Sequence, residues 1–232
     1  MMAQEKTETF FQDDLDAAKQ LYEILSTQNI HSDDWLLVAI NAEALRIVDD
    51  LAKRLHVKYD LLFIEPIYAP NNNECAVAMV SETEEIVLHQ ALVDAFDISL
   101  DFVYAQAHRQ YEEKILKKIY QYRRGDLIST LADKNVLLVD LGCETGMSAL
   151  IATKTAIGLH AKSVAYATPV IASNVLAVLD PIIDEIFTSY KVSNFVDAGF
   201  YYAVSNKMSS EDEIEIIKNA KNYLPFQKIG EK

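Results

Sequence analysis

Apolar positions recur along the chain with two periods, and their alternation predicts an α/β protein. Leu15, Ala18, Leu21, Tyr22 and Leu25 fall at helical spacing behind Asp13 or Asp14, either of which can cap a helix. Trp35 to Ile40 is short and wholly apolar, which predicts a buried strand. Asn41 can cap the following helix, with Ala44, Leu45, Val48, Leu51, Ala52 and Leu55 on one face. Tyr59 to Ile64 reads as the next buried strand. Strand, helix and strand at this spacing predict a right-handed crossover in a parallel sheet.

Glu65-Pro66 and Pro70 to Asn73 read as loop. Cys75 to Val80 and Glu85 to His89 flank an acidic turn, which predicts a hairpin. Phe102, Val103, Ala107, Tyr111, Ile115, Ile119 and Tyr122 mark a long helix from Ser99, ended by Arg123-Arg124-Gly125-Asp126. Its Glu112, Glu113, Lys114, Lys117 and Lys118 read as a solvated face. Asn135 to Val139 is a strand, Ala149 begins a helix, Ser163 to Thr168 is a strand and Ala172 to Leu179 a helix. Ile182 to Phe187 is a last strand, and Phe195 to Tyr202 an aromatic segment. Glu211 to Asn222 reads as a terminal helix capped by Ser209 or Ser210.

Charge and cysteine usage narrow the partners. At a net charge of −14 and a pI near 4.7, the surface repels nucleic-acid backbone and anionic membrane. The densest basic cluster is Lys117, Lys118, Arg123 and Arg124. No apolar run approaches the roughly 20 residues that span a bilayer. Met1 to Asp16 is polar and acidic, unlike a secretory signal or transit peptide. Cys75 and Cys143, far apart, fit a reduced, cytoplasmic protein. His31, His56, His89, His108 and His160 lack metal-ligand spacing, so no protein-held metal is expected.

The chemistry concentrates between Val136 and Ser148. A buried strand ends in Asp140, and a turn containing Gly142 and Gly146 leads into the next helix. In open α/β sheets ligands bind beyond the carboxyl ends of strands. Backbone N–H groups and the positive end of the helix dipole attract anions there. The stretch therefore predicts a phosphate pocket made by Cys143, Glu144, Thr145, Gly146, Met147 and Ser148, with Asp140 beside it. A plain strand–turn–helix connection of an unrelated α/β protein would carry the same generic pattern. Gly146→Val is expected to block the backbone cradle and leave the fold intact. Cys143 near a helix N-terminus is expected to have a lowered thiol pKa.

Asp140, Thr145, Gly146 and Ser148 also match the phosphoribosyl-diphosphate (PRPP) motif of the type I phosphoribosyltransferases, which this stretch resembles. The order of Leu36–Ile40, Ala76–Val80, the helix ending Tyr122-Arg123, the motif and Ala198 to Tyr202 is similar to one bacterial branch of that family, over roughly residues 30–220. The resemblance implies a doubly wound, mainly parallel α/β sheet in a single domain over residues 1–232. Its core would lie at about 30–190, with a hood of hairpin, long helix and C-terminal segment at about 74–125 and 190–232. It also implies pentosyl transfer, in which a base nitrogen displaces pyrophosphate from PRPP, with Mg²⁺ on the pyrophosphate, as in purine salvage and nucleotide metabolism. The turn would hold the 5′-phosphate and Asp140 a ribose hydroxyl. Glu144, which precedes Thr-Gly, would serve as general base, a phosphate dianion nearby raising its pKa; equally, it could point to water. Phe195 and Phe200 could stack a base, pack in the core or form a homodimer contact.

Several departures point away from standard catalysis. Leu141 stands where the motif has its second acid. Asn41-Ala42-Glu43-Ala44 replaces the Arg- and Gly-bearing pyrophosphate loop, and Glu43 has the wrong sign. All six glycines lie at or after Gly125. Glu65-Pro66 replaces the branch's Arg-Lys pair. The expected protein is a divergent relative that binds a phosphoribosyl group or a nucleotide 5′-phosphate, with weak or altered transfer. The alternative is an active enzyme on a purine-like base, with Arg123 and Arg124 folding over the site to supply the missing charge.

Overall fold

Alternation decides the central sheet. Leu37, Ala39, Leu137 and Val139 enter one core cluster, while Leu36, Val38, Val136 and Leu138 enter another. Both faces are therefore covered, as a parallel sheet needs. The computed structural model describes residues 9–30, 34–204 and 208–227. His31 and the first eight residues of the polar N-terminal segment lie outside them.

In chain order the elements are α1 (Asp14–Leu25), β1 (Trp35–Ala39), a 3₁₀ turn (Ala42–Ala44), α2 (Leu45–Leu55), β2 (Lys58–Leu61), β3 (Ile64–Ala69), β4 (Asn72–Ser81) and β5 (Ile86–Leu88). Then come α3 (Gln90–Ala95), α4 (Leu100–Gln110), a π turn (Tyr111–Ile115), α5 (Leu116–Arg123), β6 (Asn135–Val139), α6 (Met147–Gly158) and β7 (Ser163–Ala172). The last are α7 (Ser173–Leu179), β8 (Glu185–Val192), a 3₁₀ turn (Ala198–Tyr201), α8 (Ser210–Asn219) and α9 (Leu224–Gln227). The main sheet is parallel throughout, in the order β2-β1-β6-β7-β8. A separate antiparallel sheet, β3-β4-β5, forms the hood with the helices that follow it.

Local signals set most of the boundaries. Asp13, rather than Asp14, caps α1 by accepting from the Asp16 N–H at 2.9 Å. Leu15 is exposed, however, and Ala17 takes its place on the buried face. Ser209 and Asp212 close a reciprocal capping box on α8, which ends at Asn219 rather than Asn222. The long helix is one helical run interrupted by the π turn. β7 continues past Thr168 to Ala172, and β8 begins later than Ile182 and runs to Val192.

The stretch from Tyr59 to Ile64 is not one strand. β2 leaves the main sheet after Leu61, and β3 begins the hood at Ile64. Glu65-Pro66 therefore lies in β3 and not in a loop. Pro66 is tolerated because β3 is an edge strand. Glu65 is buried and accepts from Lys118 at 2.6 Å, with Lys114 at 3.4 Å, so those two lysines are tied to the hood sheet. Both lysines remain substantially exposed, so the face is solvated as expected and adds these two ion pairs.

Arg123 does not fold over the cleft. It is 2% exposed at the end of α5 and pairs with the buried Glu82 of the hood hairpin. Its guanidinium lies 4.7 Å from the Phe63 ring centroid. Glu82 also accepts from the Phe63 and Ile128 N–H groups at 3.0 and 3.2 Å. Nearby, Asp60 of β2 accepts from Leu61 and Ser129. Burial pushes both carboxyls up, against the pull of Arg123. The cluster joins hood and sheet.

Candidate functional site

Strand order locates the site. The chain passes from β1 outward to β2, and from β6 outward the other way to β7 and β8. The carboxyl ends of β1 and β6 are thus the topological switch point, where a crevice opens. Asn41 follows β1 and Asp140 follows β6, and their side chains meet: Asn41 Nδ2 donates to Asp140 Oδ1. The cleft holds about 200 Å³ and is lined by Asn41, Glu43, residues 140–146, Ser148, Ala149 and Ala198. That is below the roughly 300–1,000 Å³ of pockets for drug-sized ligands.

Asp140 is a hub more than a free ligand group. Oδ1 accepts from Asn41 and from the Leu141 N–H at 2.8 Å, and Oδ2 from the Tyr166 hydroxyl at 2.9 Å. Burial pushes its carboxyl up, while these donors and Gly142 pull it down. Asn41 also caps the turn after β1 by accepting from the Ala44 N–H at 2.7 Å. The sequence reading missed Tyr166. The available signal was a tyrosine in the middle of a largely apolar strand, whose hydroxyl needs a partner if buried.

Two expected members of the turn, Cys143 and Met147, do not offer a free donor to the cleft. Cys143 bridges to β7: its N–H donates to Val170 at 2.9 Å and its carbonyl accepts from Ala172 at 3.0 Å. Its thiol is buried and pushed up to about 12 by burial and by Asp140, the opposite of the lowered value expected. The helix end cannot offset a desolvated site facing a carboxylate. Met147 is buried and does not line the cleft. Among the described residues no acceptor takes the N–H groups of Glu144, Thr145 or Ser148. Glu144 and Thr145 are exposed at the mouth.

Gly146 acts differently from the expectation. Its φ is +76°, and an added Cβ would lie 2.8 Å from Val175 Cγ1, pointing into the packing against α7. A branched side chain there strikes the core instead of the cradle. Gly146→Val is therefore expected to lose about 2–4 kcal/mol of stability from left-handed backbone plus overpacking. Urea unfolding reads this directly, and a wild-type midpoint would refute it.

The other wall is the late aromatic segment. A Cβ on Gly142 would meet Ala198 Cβ at 2.8 Å, so the segment sits directly on the turn. The Tyr202 hydroxyl donates to the Leu141 carbonyl at 2.8 Å. Leu141 packs part of its side chain on the core, where the motif's second acid would stand. Phe195 and Phe200 do not line the cleft; both ring-pack on Tyr201. Tyr201 in turn stacks on Phe10, and Phe10 on Tyr190. Among the described residues that line the cleft there is no aromatic ring. Glu43, Asp140 and Glu144 line the cleft, and among the described residues no lysine or arginine does.

A doubly wound α/β fold, with a parallel five-stranded sheet and a separate antiparallel three-stranded sheet, is the class this topology defines. No family model matches the chain, and no curated protein does. Solved structures do. TT1426 from Thermus thermophilus superposes with a TM-score of 0.72 over 90% of this chain and 98% of that one, at 23% identity. A hypothetical protein from Neisseria gonorrhoeae with bound ppGpp reaches 0.47, at 13% identity over 89% and 92% of the two chains. A purine phosphoribosyltransferase from Pyrococcus horikoshii reaches 0.43, at 13% identity over 79% and 86%. At these identities the likeness concerns the fold. No helix among the described residues is long and apolar enough to cross a membrane.

Proposed function

We propose that the chain binds a phosphoribosyl group, or the 5′-phosphate of a nucleotide, in this cleft, with transfer chemistry weak or altered. The supporting observation is the donor-lined turn at the start of α6. Glu144, Thr145 and Ser148, whose N–H groups take no acceptor among the described residues and two of which carry hydroxyls, line a small concavity at the switch point. Asp140, fixed by Asn41 and Tyr166, would orient the sugar.

A second reading, an active phosphoribosyltransferase on a purine-like base, is favoured by Glu144 at the cleft mouth. The base nitrogen's lone pair would form the new bond to the anomeric carbon. The bond to pyrophosphate would break with its electron pair leaving on oxygen, and Glu144 would take the nitrogen's proton. Magnesium would enter only on the substrate pyrophosphate.

Titration calorimetry with ribose 5-phosphate tests the first reading. Thr145→Ala combined with Ser148→Ala is expected to weaken binding by roughly 10- to 100-fold, each hydroxyl contributing about 1 kcal/mol toward a charged phosphate. Absence of binding by any phosphoribosyl ligand at millimolar concentration would leave the turn with a purely structural role.

A further inference from the structure

A second hollow, of about 550 Å³, opens at the amino end of β2. It is lined by Lys53, His56, Val57, Lys58, Asn219, Lys221 and Asn222, with no acid among them. This is unusual on a chain of net charge −14. The three lysines and the histidine come from the end of α2, the start of β2 and the segment after α8. Two backbone-anchored contacts hold these segments together. Asn222 Nδ2 donates to the Ala52 carbonyl at 2.7 Å, and the Tyr59 N–H donates to the Asn222 carbonyl at 2.9 Å.

We propose that this hollow binds a compact polyanion, a chain of two or three phosphates either free or carried by a nucleotide. Its volume falls within the roughly 300–1,000 Å³ of small-molecule pockets. The α2 carbonyl end accounts for some attraction of cations there. Lys53 already pairs with Asp49, and Lys58 and Lys221 have partners of their own. A lysine ammonium has three N–H donors, however, so a partner already present leaves donors for a second acceptor. The switch-point cleft has the opposite character, lined by three carboxylates and no cation. The two hollows lie at opposite ends of the parallel sheet, since Lys58 begins β2 and Asp140 follows β6. A polyanion therefore finds its electrostatic complement away from the cleft.

Calorimetric titration of the full chain with inorganic triphosphate, at low salt and with the cleft saturated by ribose 5-phosphate, reads this site. Lys58→Glu combined with Lys221→Glu is expected to weaken triphosphate binding on the order of tenfold for each reversal. Ribose 5-phosphate affinity should stay unchanged. Lys117→Glu combined with Lys191→Glu makes the same charge change on exposed sites of α5 and β8. It should cost far less. Equal losses in the two double variants would overturn the proposal, as would no triphosphate binding by wild type. Adenosine triphosphate in place of triphosphate separates the sources: equal affinity assigns recognition to the phosphate chain, and tighter binding adds the nucleoside. Because the cleft is tested by its own ligand, failure of one site is distinguishable from failure of the other.

Discussion

Supplied with PRPP, Mg²⁺ and adenine, guanine, hypoxanthine, xanthine, uracil or orotate, the wild-type protein is expected to show negligible transfer and pyrophosphate release. Removing one preorganised electrostatic donor costs on the order of 10²–10³ in rate. At least two are missing. The turn after β1 points Glu43 into the cleft where pyrophosphate would need donors, and its Asn41 amide is spent on Asp140 and Ala44. Leu141 offers no second acid, and its carbonyl is taken by Tyr202. Turnover should thus fall about 10⁴-fold or more below the ~10 s⁻¹ typical of enzymes. Arg123 cannot compensate, being buried against Glu82. Ribose 5-phosphate should bind nearly as well as PRPP, since pyrophosphate finds no cation in the cleft. Leu141→Asp should leave turnover unrescued. A coupled pyrophosphate-release assay checks all of this. Turnover near the ordinary enzyme range would show that this reading of the β1 turn is wrong and that Glu144 works as the base of an active enzyme.

Arg123→Met is expected to destabilise the protein by about 3–5 kcal/mol, because it leaves Glu82 buried without its counter-charge. For a chain of this size that corresponds to a fall in melting temperature of roughly 10 °C. Asp60 aggravates the loss, since its carboxylate is also buried and also loses the field of Arg123. The lower end of the range is favoured by the geometry: Arg123 Nε and Nη1 are buried without hydrogen-bond partners, so the wild-type pair is itself imperfect. Wherever the variant remains folded, its ribose 5-phosphate affinity should match wild type. Thermal unfolding together with calorimetry separates the two effects. Selective loss of binding at unchanged stability would instead place Arg123 in the site.

Asp140, Thr145 and Ser148 were legible because strand periodicity, a carboxyl-terminal acid and a glycine turn are local patterns, and local patterns fix where backbone N–H groups fall. The adverse charge of Glu43 was legible too, since its place directly after β1 puts it at the carboxyl end of a strand. Phe195 and Phe200 were not, because a ring's role depends on its neighbours; here both pack edge-on against Tyr201, itself stacked on Phe10, and away from the cleft lining. The same holds for the sign of the Cys143 shift, which nearby sequence suggested downward and tertiary burial beside Asp140 turned upward.

By itself the sequence determined the α/β alternation, the parallel crossovers and the position of the glycine-bearing turn after β6, all consequences of periodicity and short-range backbone geometry. It did not determine where β2 leaves the main sheet for the hood, since an apolar run of Leu61 to Ile64 suits either sheet until the Phe63 and Glu82 contacts exist. Nor did it determine that Gly146 faces α7, that Asp140 is held by Asn41 and Tyr166, or that Arg123 is buried. Only the tertiary structure decided these, because burial, hydrogen-bond saturation and the gathering of charges separated in sequence are properties of packed surfaces and not of any single segment.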